Sequence, residues 1–305
     1  MQAGTENALR TRVYIDGYNL YYGCLKNSPH KWLDVHRLIE QILPSVHYEL
    51  NGQLVSYVLE APAIKYFTAL ILPAFGKSDD SVACQQHYHD ALQGHHGASL
   101  EIIKGYHDAK PARAYRHEPG KAARDSEMID IWKLEEKQSD VKLALNAYSD
   151  AMRSEVDQVI AVTNDSDFAP AMEHIRRHTN VILGLIVPRP EKTSQVNAQL
   201  SEKAHWVRTS IRDEEFAQSQ LPSMIRLSKN SVVHKPVSWY PRPDLLGPVL
   251  EEAMRVKRSV GSARKWLNQP CEHLSGRVPI SMCNSEAEHA ELWTYMQGYT
   301  KRFLR

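Results

Sequence analysis

Short apolar runs alternate along the chain with stretches whose apolar residues recur every three or four positions. "RVYIDG" (12–17), "IKYFTALIL" (64–72), "SLEIIKGY" (99–106), "QVIAVTN" (158–164), "VILGLIV" (181–187) and "HWVRTSI" (205–211) read as strands. "LDVHRLIEQIL" (33–43) has helical spacing of Leu33, Leu38, Ile39, Ile42 and Leu43. "SDDSVACQQHYHDAL" (78–92), "SDVKLALNAYSDAM" (139–152, capped by Ser139), "FAPAMEHIRRH" (168–178) and "SQVNAQLSEKA" (194–204) also read as helices. Strand–helix alternation with near-continuous apolar strands predicts an α/β fold. Its sheet is doubly wound and mostly parallel, with helices on both faces.

The pattern then changes. Residues 216–243 carry prolines, mixed polarity and no clean period, and are expected to form a linker. Helical patterning resumes at 245–270 and 286–304, which predicts a small all-helical C-terminal domain over 244–305. The charge follows this division. Residues 222–305 hold 13 Lys+Arg against 7 Asp+Glu, whereas residues 1–221 hold 24 against 29. Two units with different tasks are expected, and any grip on phosphate in the first must be local.

At 42% hydrophobic and 24% charged, the 305-residue chain has ordinary globular composition. The longest apolar stretch, "YFTALILPAFG" (66–76), falls short of the roughly 18 residues that a membrane span needs. "MQAGTENALRTR" has no apolar core of a signal peptide. The four cysteines are scattered, without a CxxC. A cytoplasmic protein with reduced thiols and no membrane partner is the simplest expectation. No GxGxxG follows the first strand and no P-loop occurs, and Ser or Cys nucleophiles lack an elbow or triad spacing.

The chemistry-bearing residues sit where strands end. Asp16 closes the first strand, Asp165 and Asp167 follow "VIAV" (159–162), and Asp140 opens a helix. In a doubly wound sheet all four gather on the carboxyl edge, where ligands bind. Clustered carboxylates repel each other unless a cation is present, and a hard divalent ion resolves that repulsion. Such an ion assists phosphoryl chemistry. Each acid alone also reads as a turn residue or helix N-cap. Asn19 would orient Asp16 or cap the helix after it.

"VYIDGYNLYYG", "EKQSDVKLAL" and "VIAVTNDSDFAPAMEHIRRHTNVILGLIVP", in this order and spacing, resemble the NYN domain family, a branch of the PIN-like nucleases, over residues 10–215. The resemblance implies a PIN-like fold and ribonuclease activity dependent on Mg²⁺ or Mn²⁺. It places the metal ligands at Asp16, Asp140, Asp165 and Asp167, with Asn19 accessory. Three positions depart from the family's habit. Gln138-Ser139 stands where Gly-Val is frequent, Asn164 where Gly is frequent, and Asn146 where a second Asp is common. Asn146 lies about one and two-thirds turns beyond Asp140 and so does not share its face. Residues 262–299 resemble the toxin-binding domain of Xre/ParS-type antitoxins, which implies a protein partner or self-association through 244–305.

Weaker signals complete the reading. Arg113, Arg116, Lys121 and Arg124, with Tyr106 and Tyr115 nearby, suit single-stranded RNA or form a solvated loop. His87, His89, His95 and His96 match no zinc spacing and are expected on the surface of a polar helix. Lys133 and Lys137 are expected on one helical face. The expected function is a metal-dependent ribonuclease with an RNA substrate. The alternatives are a catalytically weak or inactive module that binds RNA or a partner, and a small-molecule oxidoreductase on the same fold.

Overall fold

The computed structural model describes residues 8–303 apart from Asn51 and residues 191–194. The expectations for residues 1–7, for the first residue of the 194–204 helix and for residues 304–305 lie outside it. The chain runs β1 (Ala8–Asp16), α1 (Gly17–Leu20), a π-helical turn (Tyr21–Leu25), α2 (Val35–Ile42), the two-residue strands β2 (Glu49–Leu50) and β3 (Gln53–Leu54), β4 (Ser56–Ala69) and α3 (Ser81–His96). It continues through β5 (Leu100–Tyr115), β6 (Met128–Lys137), α4 (Ser139–Met152), β7 (Gln158–Val162), α5 (Ala169–His178), β8 (Ile182–Ile186), α6 (Ala198–Ser201) and β9 (Trp206–Arg208). After α7 (Asp213–Gln218) come β10 (Met224–Arg226), β11 (Val232–His234), α8 (Pro243–Lys257), α9 (Val260–Leu267) and α10 (Glu286–Phe303).

Seven strands form one sheet in the order β6-β5-β4-β1-β7-β8-β9. Every pairing is parallel except β5–β6. Alternation along β1 sends Val13 and Ile15 to one face and Tyr14 to the other. The first face packs against Trp32, Leu38, Ile39 and Leu92. The second packs against Leu143 and Ala147 of α4 and Met172 and Ile175 of α5. Both faces are covered, which is why the parallel strands are almost wholly apolar.

Four polar groups are nonetheless buried beneath the sheet. Asp150 Oδ2 accepts hydrogen bonds from Arg12 Nη1 (2.7 Å), Lys65 Nζ (2.7 Å) and Tyr14 Oη (2.6 Å). Asn146 belongs to this cluster, because its Oδ1 accepts from Lys65 at 3.1 Å. The network ties α4 to β1 and β4.

The β5–β6 pair differs from expectation. Residues 104–124, read as a basic loop, mostly form the outer half of β5, which overruns the sheet and pairs antiparallel with β6 from Tyr106↔Lys137 to Tyr115↔Met128. Lys133 and Lys137 therefore lie on a strand, not a helix, and both pair with Glu135 (2.7 and 3.1 Å). The residue that caps the start of α4 is Gln138, in a left-handed conformation (φ 76°), and Ser139 is the first helical residue rather than the cap. A glycine meets that conformation without steric cost.

Residues 216–243 hold the β10–β11 hairpin, with Ile225 and Val233 in the first core. Ser238 and Trp239 reach back to the first unit. Ser238 Oγ donates to Asp80 (2.7 Å), and Trp239 meets the rings of Trp32 and Tyr88 at 6.0 and 5.8 Å. Helices α8, α9 and α10 enclose a separate core of Leu246, Val249, Ala263, Leu267, Leu292 and Met296. The helical patterning over 245–270 corresponds to two helices, separated at Arg258, which is left-handed (φ 57°). No helix among the described residues is long and apolar enough to cross a membrane.

Candidate functional site

The order β4-β1-β7 makes β1 the switch point of the sheet, since the chain leaves it to one side first and returns to the other later. Asp16 is the last residue of β1. Ile15 pairs with Val162, so Asp16 stands beside Thr163 at the end of β7. Thr163 Oγ1 donates to Asp16 Oδ2 (3.1 Å), and the Asn19 amide donates to Asp16 Oδ1 (2.9 Å). Asp16 thus caps α1 and bridges two strands. Gly17 permits this turn, because a Cβ there would meet the Phe67 carbonyl and the Tyr66 ring at 2.7 Å.

The second strand end is held by a relay of polar groups. Asn19 Oδ1 accepts from the Asn164 amide (3.0 Å), and Asn164 Oδ1 from the Asn197 amide (2.9 Å). The Asp165 amide donates to Thr163 Oγ1 (3.1 Å), and Asp165 Oδ1 accepts from the Asp167 amide (3.1 Å). Asp165 is therefore also a cap, of the short 3-10 turn over 166–168. Asn19 and Asn164 act as braces between β1 and β7.

Asp140 reaches the same edge by way of the antiparallel arm. β6 returns the chain to Gly105, where a Cβ would meet Ser139 Oγ at 2.3 Å and the Lys137 carbonyl at 2.4 Å. The first turn of α4 is thereby pressed against the end of the β4–β5 ladder. The acids influence one another across this edge. Burial, then Asp140 and Glu136, pushes the Asp16 carboxyl up to about 6, against the Asn19 amide and Thr163. Burial, then Asp165 and Asp167, raises Asp140. Glu136 is also raised, by burial and Asp140. Glu136 is a fifth carboxylate at this edge that sequence reasoning missed. Its position four residues before Asp140 was the available signal.

These carboxylates strain one another and lie apart. Among the described residues, the one cluster whose three ligand atoms fall within 4.8 Å of each other is Asp34, His95 and His96. His96 Nε2 lies 2.8 Å from Asp34 Oδ1 at the end of α3. His89, expected at the surface, is 2% exposed, and burial lowers its pKa to about 4. The donor set at the acidic edge nonetheless suits a hydrated hard cation. Mg²⁺ takes few direct carboxylates and keeps several waters, so it does not need three oxygens in mutual contact.

The proposed RNA-binding cations stand elsewhere. Arg113 lies eight residues beyond Gly105 along β5, about 26 Å at strand spacing. Each has an acidic neighbour: Arg113 with Asp130 (3.6 Å), Arg116 with Glu127 (3.1 Å), Lys121 with Glu118 (2.5 Å) and Arg124 with Asp125 (3.8 Å).

The parallel sheet with acids at its switch point defines an α/β protein of nuclease-like fold. The NYN domain model matches residues 10–205, and the chain belongs to that family. It is also 43% identical over 297 residues to 6-hydroxy-3-succinoylpyridine 3-monooxygenase HspA of Pseudomonas putida (strain DSM 28022 / S16), covering 95% of each chain. A solved structure, a protein of unknown function from Vibrio parahaemolyticus, covers 70% of this chain and 98% of its own at 20% identity, with a TM-score of 0.39.

Proposed function

We propose that the protein hydrolyses RNA phosphodiester bonds with Mg²⁺ or Mn²⁺ held by Asp16, Asp140, Asp165 and Asp167. The observation that carries this reading is the convergence of carboxylates from three distant segments, with Asp165 and Asp167 acting on Asp140 and Asp140 acting on Asp16. A divalent ion there would neutralise charge on the phosphate and make water a better nucleophile. The chain's own part is positioning. Thr163 and the Asn19 amide fix the Asp16 carboxylate, Asn19 and Asn164 hold the β7 turn, and the Asp150 network anchors α4 beneath Asp140. Helices α8–α10 serve as a protein-interaction unit, in keeping with their separate core.

Cleavage of single-stranded and structured RNA with Mn²⁺ is the test. Wild type should cleave, and Asp16→Asn and Asp140→Asn should not. Equal cleavage by wild type and Asp16→Asn would sink the proposal.

A second reading has its own observation, the full-length relative named as a monooxygenase of a hydroxypyridine. On this reading one oxygen atom of O₂ enters the ring at C3, the carbon that bears the succinoyl group, the bond from C3 to that group breaks so that it leaves as an aldehyde acid, and the other oxygen leaves as water, with an added reductant supplying four electrons and solvent four protons. Incubation with 6-hydroxy-3-succinoylpyridine, ¹⁸O₂ and a reductant should then consume the substrate and give a dihydroxypyridine carrying one ¹⁸O. No such product, beside Mn²⁺-dependent RNA cleavage, leaves the hydrolytic reading standing.

A further inference from the structure

Next to Asp16 lies a cavity of about 390 Å³, within the range of small-ligand sites. It opens directly off the turn that follows Asp16, since Gly17 and Tyr18 line it. Its walls include Tyr18, Tyr22, Tyr66 and Trp239. Tyr18 and Tyr22 stack at 5.8 Å, and Tyr18 Oη is fixed by the Ala69 carbonyl (3.3 Å) and His107 Nε2 (3.2 Å). Aromatic walls braced in this way accept a flat ring by stacking.

The cations of the cavity are arranged differently from those on the β5–β6 arm. Lys26 and Lys77 both line it, and their ammonium groups lie close enough that Lys77 lowers the Lys26 pKa. Lys26 Nζ also sits 4.8 Å from the centre of the Tyr22 ring. Among the described residues neither lysine has a carboxylate partner. The acid in the lining, Asp80, is already engaged by Ser78 Oγ (2.6 Å), Ser238 Oγ (2.7 Å) and Cys84 Sγ (3.3 Å). The lining thus sets three lysines, Lys26, Lys31 and Lys77, against one carboxylate, and an anion beside the neighbouring Lys26 and Lys77 relieves their repulsion. His89 adds a further polar group, because it lines the cavity and its buried Nδ1 has no hydrogen-bond partner.

We infer that this cavity binds a planar aromatic ring carrying an anionic arm, with the ring between the tyrosines and Trp239 and the arm at Lys26 and Lys77. Such a ligand comes from two sources, a nucleotide with its phosphate or a pyridine with a carboxylate side chain. The inference deepens the proposed function, on which it rests only for taking the Asp16 edge as the reacting centre.

Titration calorimetry on the full chain tests it with four probes. They are uridine 5′-monophosphate, 6-hydroxy-3-succinoylpyridine, uridine (ring without arm) and inorganic phosphate (arm without ring). At least one ring-bearing anion should bind about tenfold or more tightly than uridine or phosphate. Lys26→Ala with Lys77→Ala should remove about that advantage. A tighter nucleotide points to RNA, and a tighter pyridine acid to the small-molecule reading. Asp16→Asn should bind like wild type while losing cleavage, so failed chemistry and a failed cavity give different results. Equal binding of all four probes, or unchanged binding in the double lysine variant, would overturn the inference.

Discussion

Replacing Asp150 by Asn keeps the side-chain shape and removes one negative charge from a buried cluster. In the wild type Asp150 Oδ2 serves Arg12, Lys65 and Tyr14 at 2.6–2.7 Å. The side chains of Arg12, Lys65 and Asp150 are 4, 9 and 6% exposed. Without the charge, Arg12 keeps the anionic Glu155 (3.1 Å) and the Pro62 carbonyl (2.9 Å), but Lys65 is left with neutral partners alone, Asn146, the Tyr14 ring and the new amide oxygen. Breaking one partner from a buried pair costs about 3–5 kcal/mol, and the surviving Arg12–Glu155 pair places this variant near about 3 kcal/mol. Adding Lys65→Met should recover about 2 kcal/mol, because it removes the orphaned charge. The acid limb carries a second signature. Burial alone would raise the Asp150 carboxyl, but hydrogen bonds from Lys65, Tyr14 and Arg12 outweigh it and hold the carboxyl below its usual range. A depressed folded pKa gives stability that is present above the unfolded value of about 3.9 and is lost as pH falls through the folded one. Urea unfolding from pH 3 to 8 should show the wild type losing its advantage over Asp150→Asn only below about pH 4. A loss below about 1 kcal/mol at pH 7, or strict additivity with Lys65→Met, would refute the reasoning.

Three further outcomes follow from the geometry. Gly17→Ala brings a Cβ against the Phe67 carbonyl and Tyr66 ring, and thermal melting should show a loss of about 1–3 kcal/mol with a parallel loss of cleavage. Trp239→Ala removes a half-buried ring from Trp32 and Tyr88, and should cost about 2 kcal/mol in urea and weaken the ring-bearing probes. Salt dependence separates two RNA grips. Contact through Lys26 and Lys77 gives a log–log slope of about −1.4 for a single strand, whereas contact through Arg113, Arg116, Lys121 and Arg124 gives about −2.8.

The legible parts of the sequence were those whose two faces are both buried. β1, β7 and β8 read as apolar runs because helices cover each side, and the acids that follow them stood out by contrast. The outer half of β5 and all of β6 were not legible as strands. They project from the sheet, so Tyr106, Asp108 and Lys110 face water and leave no apolar period to read. Glu136 was hidden for that reason, amid Glu135 and Lys137. The β10–β11 hairpin was missed because its three-residue strands bury only Ile225 and Val233. The cavity was illegible altogether. Its lining comes from the turn after β1, from α3 and from Ser238 and Trp239, segments that lie far apart in sequence and in part within the expected linker.

The acidic edge and the cavity meet at one turn, Asp16-Gly17-Tyr18, and that junction constrains what the protein accepts. Carboxylates that already raise one another's pKa repel a polyanion, and the cations of the β5–β6 arm are offset by Asp130, Glu127, Glu118 and Asp125. On the cavity side, Lys26, Lys31 and Lys77 line the pocket without forming a carboxylate pair among the described residues. A ligand that keeps its negative charge on one arm and presents a neutral ring to the tyrosines avoids the repulsion. A strand of evenly spaced phosphates meets it at every step unless divalent ions intervene. The frame therefore selects a ring with an arm, and what the carboxylates hold then decides the reaction. This gives a physical reason for a chain of the NYN family to be similar in sequence to a relative named as a pyridine monooxygenase.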